Sequence, residues 1–208
     1  MMMTYTVERL SDDMRASLVA HFLALPLKDR SLRFGMALAP TVIAAYVDGI
    51  DFERDLVFGV RDDRLAPVGV AHLAIEGDLA ELALSVLPAN RRRGIGSELF
   101  KRAVSEARAR RIPSFCMHCL SGNTPVMRIA HRFCMDLITS EGDAAAHLKL
   151  QSLPPAPIAV ETEATPPRSM QLDLVLRPQR NQVGRGGIDR GSGAYAVRVL
   201  LSSYGFPK

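Results

Sequence analysis

Two glycines and three arginines form the stretch of this 208-residue chain best suited to chemistry. Gly94 and Gly96 have no side chains to keep a ligand away from the backbone, and Arg91, Arg92 and Arg93 precede them. If a helix begins here, its first N–H groups lack intrahelical acceptors and attract anions. Consecutive arginines add positive potential. The stretch therefore predicts a binding site for a phosphate-bearing ligand.

The flanking sequence predicts a strand before this loop and a helix after it. Leu82, Leu84 and Val86 alternate with other residues, which is the period of a strand. Beyond the loop, apolar residues recur every four positions from Ile95 to Ala107, as on an amphipathic helix. A dinucleotide-binding loop would need the Gly-x-Gly-x-x-Gly spacing and an acidic residue ending a later strand, and this chain has neither.

In this context the pattern Arg91-x-x-Gly94-x-Gly96 resembles the acyl-CoA pyrophosphate loop of the GNAT N-acetyltransferase superfamily. The resemblance covers about residues 1–150. It implies an α/β fold with a mixed, mostly antiparallel sheet of six to seven strands and about four flanking helices. It also implies acetyl-CoA as co-substrate and an amine acceptor, either a small molecule or a protein lysine. Residues 31–34 and the helix after them show a looser likeness to bacterial protein-lysine acetyltransferase domains.

The resemblance assigns a set of residues to the cofactor. Backbone groups of the strand before the loop would pair with the pantetheine arm, and the loop would hold the diphosphate. Asn123 would contact the cofactor or only cap the helix that it begins, and Met127 would touch pantetheine or pack in the core. The implied cofactor residues are Leu84, Ser85, Val86, Arg91, Arg92, Arg93, Gly94, Ile95, Gly96, Ser97, Asn123 and Met127.

Glu81 is the expected general base. The acceptor amine arrives as an ammonium ion, so a carboxylate near the middle of the strand is needed to remove its proton, through a water. Glu81 shares a strand face with Ala83 and Ser85 and lies thirteen residues before Gly94. That spacing is close to the one at which protein-acetylating members of the superfamily carry their base glutamate. The alternative is a solvated glutamate beside a hairpin turn.

Ala130 marks a departure from the superfamily pattern. Many members carry a tyrosine at the corresponding position, where it protonates the departing thiolate, so the general acid of this chain is unassigned. The main prediction is acetyl transfer by direct attack of the amine in a ternary complex. A catalytically weak or inactive module that senses acyl-CoA is the alternative.

The cysteines and nearby histidines have spacings that a zinc site uses, but their predicted elements argue against one. Cys116, His118 and Cys119 fall within one predicted strand, where residues three apart face opposite sides. His131 and Cys134 repeat the spacing near the end of a predicted helix. We therefore expect no metal site, and Cys119 as a nucleophile is a less favoured alternative to direct attack.

Composition limits the partners and the location. Residues 1–150 carry 19 Lys and Arg against 18 Asp and Glu, which is not the charge of a nucleic-acid binder. The longest uncharged apolar run, residues 34–47, is too short to span a bilayer. The start of the chain resembles no signal peptide, and three cysteines make a disulfide framework unexpected. We expect a cytoplasmic enzyme without membrane contact, and its oligomeric state, a homodimer included, is left open.

The chain divides near Leu150. Before it, strands are expected over residues 5–10, 55–61, 66–76, 78–87, 114–120, 135–141 and 144–150. Helices are expected over 11–25, 40–47 and 94–110 and from Asn123 onward. Pro26 and the charged residues 28–30 predict a loop. Residues 151–208 contain five prolines before position 170 and five glycines over 179–193. They are predicted to be a tail that is largely disordered or ordered by a partner.

Overall fold

The computed structural model describes residues 5–150, which form seven strands and five α-helices. The tail predicted for residues 151–208 lies outside the described residues, so the division of the chain stays a prediction. None of the helices in the described part combines the length and the apolar character needed to cross a membrane.

One mixed sheet runs through the described residues. Its strands, in chain order, are β1 (Glu8–Leu10), β2 (Leu56–Arg61), β3 (Pro67–Glu76), β4 (Leu79–Val86), β5 (Ser114–Leu120), β6 (Asp136–Thr139) and β7 (Asp143–Lys149). They lie side by side in the order β1-β2-β3-β4-β5-β7-β6. All neighbouring pairs are antiparallel except β4 and β5, which are parallel. The mixed, mostly antiparallel sheet predicted from the sequence is confirmed.

Helices cover both faces of this sheet. They are α1 (Arg15–Ala24), α2 (Leu27–Phe34), α3 (Pro40–Asp48), α4 (Ile95–Ala109) and α5 (Thr124–Arg132). Phe58 and Leu82 face α4 and pack with Leu99, whereas Val57 and Val70 pack on the other side with α1–α3. Neighbouring residues of a strand point to opposite faces, so each strand supplies both cores.

The start of α4 lies unusually close to the sheet. A Cβ atom at Gly69 of β3 would come within 2.6 Å of Ile95 Cγ2, a distance that real Cβ atoms essentially never show. Glycine at this position therefore allows the first turn of α4 to sit directly against the middle of the sheet, where its amino end can be part of a site.

Helix α2 occupies the segment that the sequence predicted to be a loop, and that prediction was wrong. Pro26 stands just before the helix in an extended conformation, and its carbonyl accepts the N–H of Arg30 at 2.9 Å. Proline in this place removes no helical hydrogen bond. The negative charge of Asp29 in the first turn interacts favourably with the positive end of the helix dipole. The described residues therefore form five α-helices, where the sequence predicted about four.

Two buried histidines fasten the helices to the sheet. His21 of α1 donates Nδ1–H to the Pro67 carbonyl at 2.8 Å, which leaves Nε2 to accept the Ser85 hydroxyl at 2.8 Å. A hydrogen bond of 2.6 Å joins His72 Nδ1 on β3 to the Tyr46 hydroxyl of α3, and His72 Nε2 lies 3.2 Å from Asp55. Burial lowers the pKa of His21 to about 4 and also lowers that of His72.

This burial makes the fold acid-sensitive. Between about pH 6.5 and 4 the unfolded chain binds a proton on His21 whereas the folded chain does not, so stability falls as the pH falls. His21→Gln keeps a donor and an acceptor but cannot titrate. We expect it to flatten the slope of unfolding free energy against pH by about 1.4 kcal/mol per pH unit in this window. Urea unfolding at several pH values measures the slope.

His131→Gln is the matched control, because His131 is exposed on α5. This variant is expected to keep the wild-type slope. An unchanged slope in His21→Gln would contradict the assignment of acid sensitivity to the buried imidazole.

Candidate active site

The parallel strands β4 and β5 separate early. Their pairing covers only Leu79↔Ser114, Ala80↔Phe115 and Glu81↔Cys116, although β4 continues to Val86 and β5 to Leu120. On its other side β4 stays paired with β3 along its whole length. The edge of β4 beyond Glu81 therefore faces a gap between the two strands, where its backbone groups are not paired with β5.

The loop after β4 takes the conformation that its glycines permit. Gly94 caps α4 with a φ of +89°, in the left-handed region, and Arg92 has a φ of +62°. The carbonyl of Gly94 accepts the N–H groups of Ser97 and Glu98, which closes the first turn. The first N–H groups of a helix have no intrahelical acceptor, which is the arrangement of an anion-binding helix start.

The gap opens into a cleft of about 480 Å³. Ten of the twelve predicted cofactor residues line it: Leu84, Ser85, Val86, Arg91, Arg92, Gly94, Ile95, Gly96, Ser97 and Asn123. Arg93 and Met127 are not among the lining residues, and Met127 instead has its sulfur 4.0 Å from that of Cys119. The structure thus brings most of the predicted set together around one cavity.

Residues that follow each of the two strands bordering the gap bind to α2. Arg91 donates from Nε to the Val86 carbonyl at 2.9 Å and pairs through Nη2 with Asp29 at 2.8 Å. On the other side of the gap Asn123 donates from Nδ2 to the Leu32 carbonyl at 3.3 Å, while its Oδ1 caps α5 by accepting from Val126. Helix α2 therefore lies across the gap. Asn123 caps α5 and also lines the cleft, so its contact with the cofactor stays a prediction.

Several lining residues were missed in the sequence. Arg128 and Arg132 stand four positions apart on α5, so both reach the cleft beside Ile129. This spacing after a capping asparagine is a signal that could have identified them. Asp29 and Arg33 were missed because α2 was not recognised as a helix. The two arginines of α5 add positive charge to the cleft that Arg92 also lines, which suits a ligand with several phosphates.

Glu81 lies where the two strands begin to separate and is only 8% exposed. Its Oε1 is 3.2 Å from His118 Nδ1 on β5, and the sulfur of Cys116 is 3.9 Å from the same nitrogen. It is not a solvated glutamate beside a turn. The structure shows a carboxylate within a buried polar group at the closed end of the gap, although Glu81 is not among the residues that line the cleft.

The thiols of β5 remain protonated near neutral pH. Burial and the carboxylate of Glu81 raise the pKa of Cys116 to about 12, while burial and Asp143 raise that of Cys119 to about 11. A thiolate, rather than a thiol, is the nucleophile in covalent catalysis. The structure therefore gives no support to Cys119 as a nucleophile.

Comparison with known proteins places this geometry in a family. The family model described as Acetyltransferase (GNAT) family matches residues 30–134, about half of the chain. No curated protein sequence gives a significant match. The matched residues include β4, the glycine loop, α4 and α5.

Solved structures share the fold at low sequence identity. The GNAT domain of S. lividans PAT has 18% identity and a TM-score of 0.60, covering 69% of this chain and 89% of that one. A phosphinothricin acetyltransferase from Sinorhizobium meliloti in complex with acetyl-CoA has 14% identity and a TM-score of 0.58, covering 76% and 97%. The ribosomal-protein-S18-alanine N-acetyltransferase from Escherichia coli has 14% identity and a TM-score of 0.54, covering 74% and 98%. These structures share the fold, and the family match shows that the chain belongs to the GNAT acetyltransferase family.

Proposed function

We propose that this protein transfers the acetyl group of acetyl-CoA to a primary amine by direct attack in a ternary complex. The observation that carries the proposal is the separation of β4 from β5 immediately after Glu81. It combines an unpaired backbone edge, a phosphate-suited loop and a buried carboxylate at one end of the sheet. Acetyl-CoA supplies an activated acetyl thioester. The residues of the chain bind it and remove the proton of the acceptor ammonium group.

The walls of the cleft fit the cofactor. A side chain at Gly96 would bring a Cβ within 3.2 Å of Ile129 and narrow the passage between β4 and α5. Nothing lies within 4 Å of a Cβ at Gly94, so the loop backbone is open to a diphosphate. Arg92, Arg128 and Arg132 supply positive charge at the same end. The phosphinothricin acetyltransferase with the same fold was solved with acetyl-CoA bound, which supports this assignment.

The chemistry that we propose assigns one proton transfer to Glu81. Its carboxylate removes the ammonium proton of the acceptor through a water, so that the free amine attacks the thioester carbonyl. An N–H group on the unpaired edge of residues 84–86 stabilises the negative charge that develops on the carbonyl oxygen. No tyrosine lines the cleft within the described residues. The departing thiolate therefore leaves as such or takes its proton from water.

Acceptor selection falls to α2, which forms one wall of the cleft. The similar structures carry names that include both a small amine, phosphinothricin, and the alanine of a ribosomal protein. We propose a primary amine as the acceptor class, and thiol release against lysine peptides, polyamines and aminoglycosides would tell a protein lysine from a small molecule. A cytoplasmic location belongs to the same proposal.

A second function, sensing of acyl-CoA without chemistry, is favoured by one observation. Ala130 takes the place of the usual tyrosine on α5 and is fully buried in the hydrophobic core. A sensor would bind acetyl-CoA but acetylate no amine, and Glu81 would be irrelevant to its function. Substitution of Glu81 therefore distinguishes the two functions.

The cofactor site is tested at Gly94. We expect Gly94→Asp to weaken acetyl-CoA binding at least about tenfold, because its carboxylate repels the diphosphate at the helix start. Isothermal titration calorimetry measures the affinity. Gly94→Asn adds a side chain of similar size without the charge, so comparison of the two variants separates the effect of charge from that of shape.

Gly142→Asp is the matched control for backbone strain. Gly142 has a φ of +87°, and a Cβ there would also meet nothing within 4 Å, but it lies in the β6–β7 turn. Its affinity for acetyl-CoA is expected to stay at the wild-type value. Equal affinity of Gly94→Asp and the wild type would remove the phosphate-loop assignment.

The base is tested with Glu81→Gln, which keeps the shape of the side chain but cannot accept the proton. We expect kcat to fall at least about 100-fold while the Kd of acetyl-CoA changes less than about threefold. Steady-state thiol release and calorimetry provide the two values. Glu76→Gln is the control, because Glu76 is an exposed glutamate on the adjacent strand. An equal loss of kcat and of affinity for acetyl-CoA, or an unchanged kcat, would count against Glu81 as the base.

A further inference from the structure

Three different metal-binding side chains meet where β4 and β5 separate. The carboxylate of Glu81, the thiol of Cys116 and Nδ1 of His118 all lie within 4.8 Å of one another. Glu81 and Cys116 form the last register pair of the two strands, and His118 is two residues further along β5, so it faces the same side. The sequence argument against zinc concerned Cys116 and Cys119, and it did not apply to this cross-strand set.

The spacing of these atoms is close to that of a tetrahedral metal site. With zinc bonds of about 2.0–2.3 Å, neighbouring ligand atoms lie about 3.3–3.7 Å apart. The His118 Nδ1 to Glu81 Oε1 distance is 3.2 Å, and the Cys116 Sγ to His118 Nδ1 distance is 3.9 Å. A small rotation of the side chains would bring both distances into the range.

Charge and ligand chemistry favour zinc over other common cations. A thiolate and a carboxylate together carry two negative charges, which a divalent ion neutralises in a site where Cys116 and Glu81 are 1% and 8% exposed. Sulfur and imidazole ligands select zinc, whereas magnesium and calcium prefer sites made of oxygen ligands alone. Zinc binding would release the Cys116 proton to solvent as the sulfur–zinc bond forms.

Three protein ligands leave one coordination position open. Zinc sites that only stabilise a fold are closed by four protein ligands, so a three-ligand site has the form that exchanges its fourth partner. The side chain of His118 is 25% exposed, which gives an ion a route from solvent. We propose that Glu81, Cys116 and His118 form a zinc site, and that zinc bound there inhibits acetyl transfer by occupying the Glu81 carboxylate.

Metal uptake is tested with cobalt(II), whose bond to a thiolate gives a charge-transfer absorption. The reduced full chain is expected to bind one equivalent with this absorption, and zinc is expected to displace it. Cys116→Ser should abolish the absorption. Cys119→Ser is the matched control on the same strand, since that sulfur packs toward Met127 on the opposite side, and it should keep the absorption.

His118→Gln provides a second variant should Cys116→Ser fail to fold, because His118 is partly exposed and its replacement removes one ligand. We expect it to weaken cobalt binding at least about tenfold. Absence of the thiolate absorption in the wild-type chain, or its persistence in Cys116→Ser, would overturn the zinc site.

Inhibition rests on the proposed function, whereas metal uptake does not. Zinc is expected to lower the acetylation rate at least about tenfold at saturation, and a chelator should restore it. Each variant is compared with its own zinc-free rate, and Cys116→Ser should show no zinc inhibition while Cys119→Ser shows the wild-type response. Cobalt uptake without zinc inhibition would support the site and contradict the role of Glu81 as base.

Discussion

The early separation of β4 and β5 is the constraint on which the rest of the site depends. The two strands are paired at only three positions and then diverge. Parallel strands need a long crossover, and here α4 supplies it, so its amino end lies beside the gap that the strands leave. The glycine loop, the unpaired edge of β4 and the buried carboxylate are adjacent because each of them borders this one gap.

Polar contacts with α2 connect the two sides of the gap. Arg91 links the end of β4 to Asp29 of α2, and Asn123 links the end of β5 to the Leu32 carbonyl of the same helix. Helix α2 consequently contacts both sides of the gap and lines the cleft between them. In the proposed function the same helix forms the wall that an acceptor amine would meet, so the packing around the gap would also limit which amines can enter.

The two faces of β4 differ in polarity, although apolar cores lie on both sides of the sheet. The face toward α4 is apolar along β4, with Leu82, Leu84 and Val86 in the core. The opposite face carries Glu81 and Ser85, and Ser85 is held by His21. A strand period of two makes this separation automatic, because neighbouring residues serve different layers. Polar groups needed for proton transfer or metal binding can therefore be buried without interrupting the α4 core.

The sequence predicted what local pattern controls and missed what depends on tertiary contact. Runs of apolar residues predicted strands β2 to β5, and the glycine at position 94, which caps α4, predicted where that helix begins. Helix α2 was missed because Pro26 was interpreted as the start of a loop, although a proline before the first helical residue breaks no hydrogen bond. The approach of His118 to Glu81 depends on the register between two strands that are far apart in sequence, which no local pattern reveals.

The crystal structure of the chain with bound acetyl-CoA is the most direct measurement of the central claim. We predict that the diphosphate lies against the N–H groups of residues 94–96 and that the pantetheine arm runs between β4 and β5, with the thioester nearest the Glu81 end. A cofactor bound elsewhere, or β4 and β5 paired along their full length with the gap closed, would contradict the claim.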